Sequence, residues 1–205
     1  MEPYVTLKKY ASFEYEEKKS VFIADAAPVS SEAEALAFIE AVKKKYPDAR
    51  HHVYAYVLRE NSIMRFTDDH EPQGTAGMPT LDAIRKNGIT DCVVVVTRYF
   101  GGTLLGTGGL VRAYSSAAIG AIEAAEPARY DVYAEYSIKL SYSDHQKTVA
   151  VLSDMGFRTS DTIFSDSVEI LGTVLAKDAQ LLEKKLSDIT AGRAKSEKIS
   201  EKFDF

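Results

Sequence analysis

The stretch Asp91-Cys-Val-Val-Val-Val-Thr-Arg-Tyr99, followed by Phe100-Gly-Gly-Thr-Leu-Leu-Gly-Thr-Gly-Gly109, decides the fold. Its apolar run, Cys92 to Val96, lacks polar alternation, which marks a strand buried on both faces. Such a strand belongs to a sheet that other elements cover on each side. Leu110 to Glu126 then reads as a helix whose small residues, Ala113, Ala117, Ala118 and Ala121 among them, permit close packing. Pro127 ends that helix. Cys92 is the chain's single cysteine. It can form neither an internal disulfide nor a cysteine-rich zinc site, and it reads as a small buried hydrophobe.

Upstream, Tyr4 to Ala26 reads as a hairpin, with the strand Ser20-Val-Phe-Ile-Ala24 as its second arm. Ser30 and Ser31 precede Glu34 at capping-box spacing. In the helix they open, the apolar positions Ala35, Leu36, Phe38, Ile39 and Val42 follow the helical period; it closes on Lys43-Lys-Lys45 and stops at Pro47. His52 to Leu58 alternates as a strand, with Ile63 to Thr67 as its hairpin partner across Glu60-Asn61. Thr80 to Asn87 is a short helix stopped by Gly88.

Downstream the pattern changes. Tyr130 to Tyr133 reads as a linker, and the rest as strand Tyr136–Tyr142, helix Asp144–Met155, strands Phe157–Phe164 and Val168–Ala176, helix Asp178–Thr190 and strand Ala194–Phe203. That βαββαβ order is the ferredoxin-like unit. The expected fold class is therefore α+β in two domains, residues 1–132 and 133–205.

Of 205 residues, 45% are hydrophobic and 27% charged, ordinary values for a globular protein. No stretch approaches the roughly 18 apolar residues of a membrane span. The Met1-Glu-Pro-Tyr4 start has no apolar signal region, so a cytoplasmic location is expected. Net charge is −5, which argues against an extended nucleic-acid surface and leaves room only for a local basic patch.

Eight of the twelve glycines fall between residues 74 and 109. Glycine gathers where the backbone needs positive φ or where something approaches it closely. Gly74, Thr75 and Gly77 in one loop, and Gly101, Gly102, Gly106, Gly108 and Gly109 in another, each lead into a helix. Two such entries offer backbone N–H groups to an anion or phosphate, with Arg65, Arg98 and Arg112 nearby in sequence. The same loops also serve a sharp strand-to-helix turn, and the sequence leaves both readings open. Neither loop fits a known nucleotide motif. Thr107 and Gly108 follow Gly106 where a P-loop needs Lys, and Gly106-Thr-Gly108-Gly-Leu-Val lacks the third glycine of a dinucleotide fingerprint. Asp68, Asp69 and Glu71, with His70 among them, offer either acid–base chemistry or a loop that caps a helix and pairs with arginines. Adjacent His51 and His52 point to opposite faces of a strand and share no metal, and His145 reads as a surface residue. No Gly-x-Ser-x-Gly elbow is present. No cofactor or metal centre is expected.

Asp68-Asp-His-Glu-Pro-Gln-Gly-Thr-Ala-Gly-Met-Pro79 and Thr97-Arg-Tyr-Phe-Gly-Gly-Thr-Leu-Leu-Gly-Thr-Gly-Gly-Leu110, with Arg112-Ala-Tyr114 beyond, resemble the two defining blocks of the IMPACT family in its bacterial YigZ branch. Lys19-Ser-Val-Phe-Ile-Ala24 and His52 with Ala55-Tyr56 fit more loosely. His70 stands where the family pattern has glycine, and carries a steric cost if that position needs positive φ. The resemblance implies a first domain like the second domain of small-subunit ribosomal protein five, and a second like a ferredoxin-like domain of elongation factor G. It also implies translation control, as in eukaryotic members that act under amino-acid starvation. The expected function is a translation regulator that binds the ribosome, RNA or a translation-associated protein through the glycine-rich site. The alternative is an enzyme on a phosphorylated small molecule, with Asp68, Asp69 or Glu71 as base or metal ligand.

Overall fold

A computed structural model describes residues 2–205; Met1, the first residue of the N-terminal reading above, lies outside them. The chain forms two compact units, residues 4–129, and residues 130–205 together with residues 2–3.

In the first unit, strands β1 (Tyr4–Leu7), β2 (Ala11–Glu17), β3 (Ser20–Pro28), β4 (His51–Leu58), β5 (Ile63–Thr67) and β6 (Cys92–Tyr99) accompany helices α1 (Glu32–Lys45), α2 (Gly77–Lys86) and α3 (Gly106–Ala124). The antiparallel sheet has the order β2-β3-β6-β4-β5, so β6 is central. Cys92, Val94 and Val96 meet α2 and α3 on one face. Val93 and Val95 meet α1 on the other. This double covering is why the run shows no alternation, and each buried valine contributes about 1.5–3 kcal/mol. The capping box at α1 forms as spaced: Ser31 Oγ accepts from the Glu34 N–H at 3.3 Å, and Glu34 accepts from the Ser30 N–H at 2.6 Å.

Four boundaries differ from the sequence reading. The N-terminal hairpin is β2 with β3 alone, since Tyr4–Leu7 forms the separate strand β1. α2 starts at Gly77 and α3 at Gly106, each three or four residues early, so half of the second glycine loop is helix. Glycine has low helix propensity, which hid these first turns. Tyr130 to Tyr133 is not a linker: strand β7 runs unbroken over Pro127–Leu140 and pairs along residues 131–139 with the C-terminal strand.

The second unit continues with α4 (Tyr142–Asp154), β8 (Arg158–Phe164), β9 (Val168–Leu175), α5 (Ala179–Thr190) and β10 (Lys195–Asp204). Its strands pair antiparallel as β10-β7-β9-β8, which completes the βαββαβ arrangement. Asp144 ties the start of α4 to the end of α5. Its side chain is almost wholly buried and accepts from Arg193 Nη2 at 2.8 Å, Lys147 Nζ at 2.7 Å and Ser141 Oγ at 2.9 Å. Arg193, then Lys147, hold this carboxyl well below the usual carboxylate range. A lowered folded-state pKa stabilises the fold above the unfolded carboxylate pKa, and that contribution is lost as pH falls toward the folded value. Thermal unfolding of the full chain from pH 7 down to pH 2 is therefore expected to show an acid loss of stability. Asp144→Asn should be less stable at pH 7 and lose less on acidification.

Candidate functional site

The two sequence blocks meet through one buried carboxylate. Glu71 lies in the loop after β5, Arg98 at the end of β6 and Tyr114 on α3. Glu71 Oε1 accepts from Arg98 Nη1 at 2.6 Å and from the Tyr114 hydroxyl at 2.8 Å. Their exposures are 9%, 7% and 0%. The strand period puts Arg98 on the α2–α3 side, opposite Phe22 of β3 and His51 of β4. Its guanidinium lies 5.3 Å from the Phe22 ring, which meets the Tyr114 ring edge-on at 5.1 Å. Burial, and then the Glu71 charge, push the Tyr114 hydroxyl far above its ordinary pKa, so it stays a donor.

Asp68 occupies the first helix entry. Its carboxylate accepts from the N–H groups of Gly74 at 2.8 Å, Ala76 at 3.0 Å and Gly77 at 2.8 Å. The protein's own carboxylate thus fills the anion position there. Thr75 turns inward, its Oγ1 donating to the Pro72 carbonyl at 2.6 Å. Gly77 is required by contact rather than by φ, because a Cβ would stand 2.4 Å from the Thr67 carbonyl oxygen. Asp69 Oδ2 accepts the His52 N–H at 2.6 Å. Both Asp69 and His70 hold positive φ, 41° and 69°. The position with glycine in the family pattern is therefore left-handed here, and His70 meets it with an exposed ring.

The adjacent histidines diverge as the strand geometry requires. His51 Nδ1 faces the Asp69 carbonyl at 2.8 Å, and His52 Nε2 faces the Tyr46 carbonyl at 3.0 Å. A carbonyl partner assigns the proton to Nδ1 of His51. Its Nε2 then lies 4.0 Å from Glu71 Oε1. No group of three or more potential metal ligands occurs among the described residues.

Of the three arginines in the sequence reading, Arg98 is a buried architectural partner and Arg112 is exposed on the first turns of α3, its Nη1 beside Gly108. Arg65 does not join them. It pairs with Tyr56 on the α1 side of the sheet and donates to the Met64 carbonyl. Gly101, Gly102, Gly106, Gly108 and Gly109 do cluster at the loop before α3 and its first turn, whose N-cap residue Leu105 supplies no side-chain cap. Beside that loop opens a cleft of about 490 Å³ lined by Asp48, Arg50, His51, Arg98, Tyr99, Phe100 and Leu104. Phe100 and Leu104 are 55% and 83% exposed. The sequence reading missed Arg50, His51, Tyr114, Phe100 and Leu104. Two apolar residues around a Gly-Gly pair were the available signal for an exposed rim; His51 needed the strand register.

Residues 18–122 match the model of the Impact N-terminal domain, and residues 138–193 match a domain of unknown function. The chain is 33% identical to IMPACT family member YvyE of Bacillus subtilis, covering 93% of this chain and 88% of that protein. It is 34% identical to IMPACT family member YigZ of Escherichia coli, over 85% and 87% respectively. A crystal structure of a hypothetical protein superposes with a TM-score of 0.61 at 32% identity, covering 98% of each chain.

Breaking a buried ion pair from one side costs about 3–5 kcal/mol. Glu71→Leu and Arg98→Met are each expected to destabilise by that order in urea unfolding, with the double variant clearly less costly than their sum. Asp68→Ala, which strands three N–H groups, should cost about 2–3 kcal/mol.

Proposed function

The chain belongs to the IMPACT family, and on that premise we propose that it is a noncatalytic translation regulator. It docks on the ribosome, on RNA or on a translation-associated protein through the cleft and the loop before α3. The exposed pair Phe100 and Leu104 at the mouth of a cleft that also carries Arg50 supports this reading. Aromatic and arginine side chains beside an apolar anchor are the make-up of interface hot spots. In this reading the protein works in the cytoplasm. None of its described helices is long and apolar enough to cross a membrane.

The alternative, an enzyme on a phosphorylated small molecule, needs a free carboxylate in the acidic loop. Asp68 is held by three backbone N–H groups, Asp69 by the His52 N–H, and Glu71 by Arg98 and Tyr114. Each is committed to holding the loops together, which favours binding over acid–base work. A phosphate group at the glycine loops fits only the loop before α3, since Asp68 occupies the other.

Co-sedimentation of the full chain with ribosomes tests the reading. Phe100→Ala with Leu104→Ala should weaken association about tenfold or more while leaving the melting temperature nearly unchanged. Sedimentation unaffected by that pair would remove the surface from consideration. Arg98→Ala is a poor probe, because it also strands Glu71.

A further inference from the structure

The hairpin from β2 to β3 turns through Lys18 and Lys19, both at positive φ, 48° and 66°. Glu17 faces Ser20 across it, so the loop has two residues. Hairpins favour this mirror-image turn, and Asn-Gly fills it with least strain. Two lysines there break the local rule, and both side chains are exposed. The turn rests on the glycine loop. A Cβ on Gly101 would stand 2.0 Å from the Lys19 carbonyl carbon, and the Gly101 N–H donates to Ser20 Oγ at 3.1 Å. Along the same loop the Arg112 guanidinium lies beside Gly108, and Arg50 stands on the cleft wall with Phe100 and Leu104.

Among the described residues, the side chains of Lys18, Lys19, Arg50 and Arg112 form no ion pair. The nearby carboxylates are few. Glu16 and Glu17 precede the turn, Glu17 accepting from the Tyr15 hydroxyl at 3.2 Å; Asp48 lines the cleft, and Glu71 is engaged with Arg98. A chain of net charge −5 thus gathers unpaired cations along one rim, around an exposed aromatic ring.

We propose that this rim binds the phosphate backbone of single-stranded RNA, with Lys18, Lys19 and Arg112 on phosphates and Phe100 as the surface on which a base stacks. Cations tracking a backbone beside a stacking ring are what sequence-tolerant single-strand binding requires. The proposal rests on the translation reading and names its partner. It accounts for the turn chemistry: the lysines occupy a position where they strain the backbone because their charge is needed against the glycine loop.

The test is fluorescence anisotropy of a labelled oligouridine with the full chain over a salt series. Each phosphate neutralised on a single strand contributes about −0.7 to the slope of log K against log salt, so three contacts predict about −2. Lys18→Asn with Lys19→Gly should reduce that slope by about 1.4 and the low-salt affinity at least tenfold, while raising the melting temperature by a few degrees. Phe100→Ala should lower affinity and leave the slope unchanged. A chain that does not bind the oligonucleotide, or a double variant that binds it as well as the parent, overturns the proposal. Ribosome co-sedimentation of both forms separates the failures. If the parent sediments while free RNA is not bound, the rim faces a protein instead and the translation reading stands. If the parent neither sediments nor binds the oligonucleotide, the ribosome and RNA forms of that reading fail with it.

Discussion

The contact on which the first unit depends is a carboxylate with two donors. Glu71 joins a loop that follows an edge strand to the central strand, through Arg98, and to the longest helix, through Tyr114. Buried charges are tolerated only when paired and hydrogen-bonded, and here the guanidinium and the hydroxyl both donate to Glu71 Oε1. The consequence reaches the surface. With Glu71 fixed, Asp68 is placed to gather the N–H groups that open α2, and Asp69 to take the His52 N–H and, by its carbonyl, His51. The acidic segment thus acts as a brace under the glycine-rich surface.

This brace sorts the two glycine loops into different tasks. At the first, backbone N–H groups face inward to Asp68, and Gly77 has room for no side chain against Thr67. At the second, the helix entry stays open to solvent beside the cleft, and Gly101 lets the β2–β3 turn rest directly on the loop. Similar composition therefore gives one structural joint and one outward surface. Arg98 ends in the joint and Arg112 on the surface.

Much of the fold was legible in the residues, because its signals are local. The unalternating Cys92–Val96 run reports a sheet covered on two sides, and Ser31 with Glu34 reports a helix start. Glycine misled at α2 and α3, since a helix turn held by tertiary contacts need not show helix propensity. The candidate site was less legible. Which face of a sheet Arg65 and Arg98 occupy depends on register with strands far away in sequence, as does the meeting of His51 with Arg98. The partners of Asp68, Asp69 and Glu71 lie across loops whose path no spacing encodes, so the residues left open both acid–base work and the helix cap and arginine pair that the structure shows.

What distinguishes a braced binding surface from a reaction centre is where a partner protects the protein. Hydrogen–deuterium exchange of the full chain with and without ribosomes maps this directly. The account predicts slowed exchange in residues 15–22 and 98–112, with the second unit, residues 130–205, unaffected. Protection confined to that second unit, or no protection at all, would contradict it.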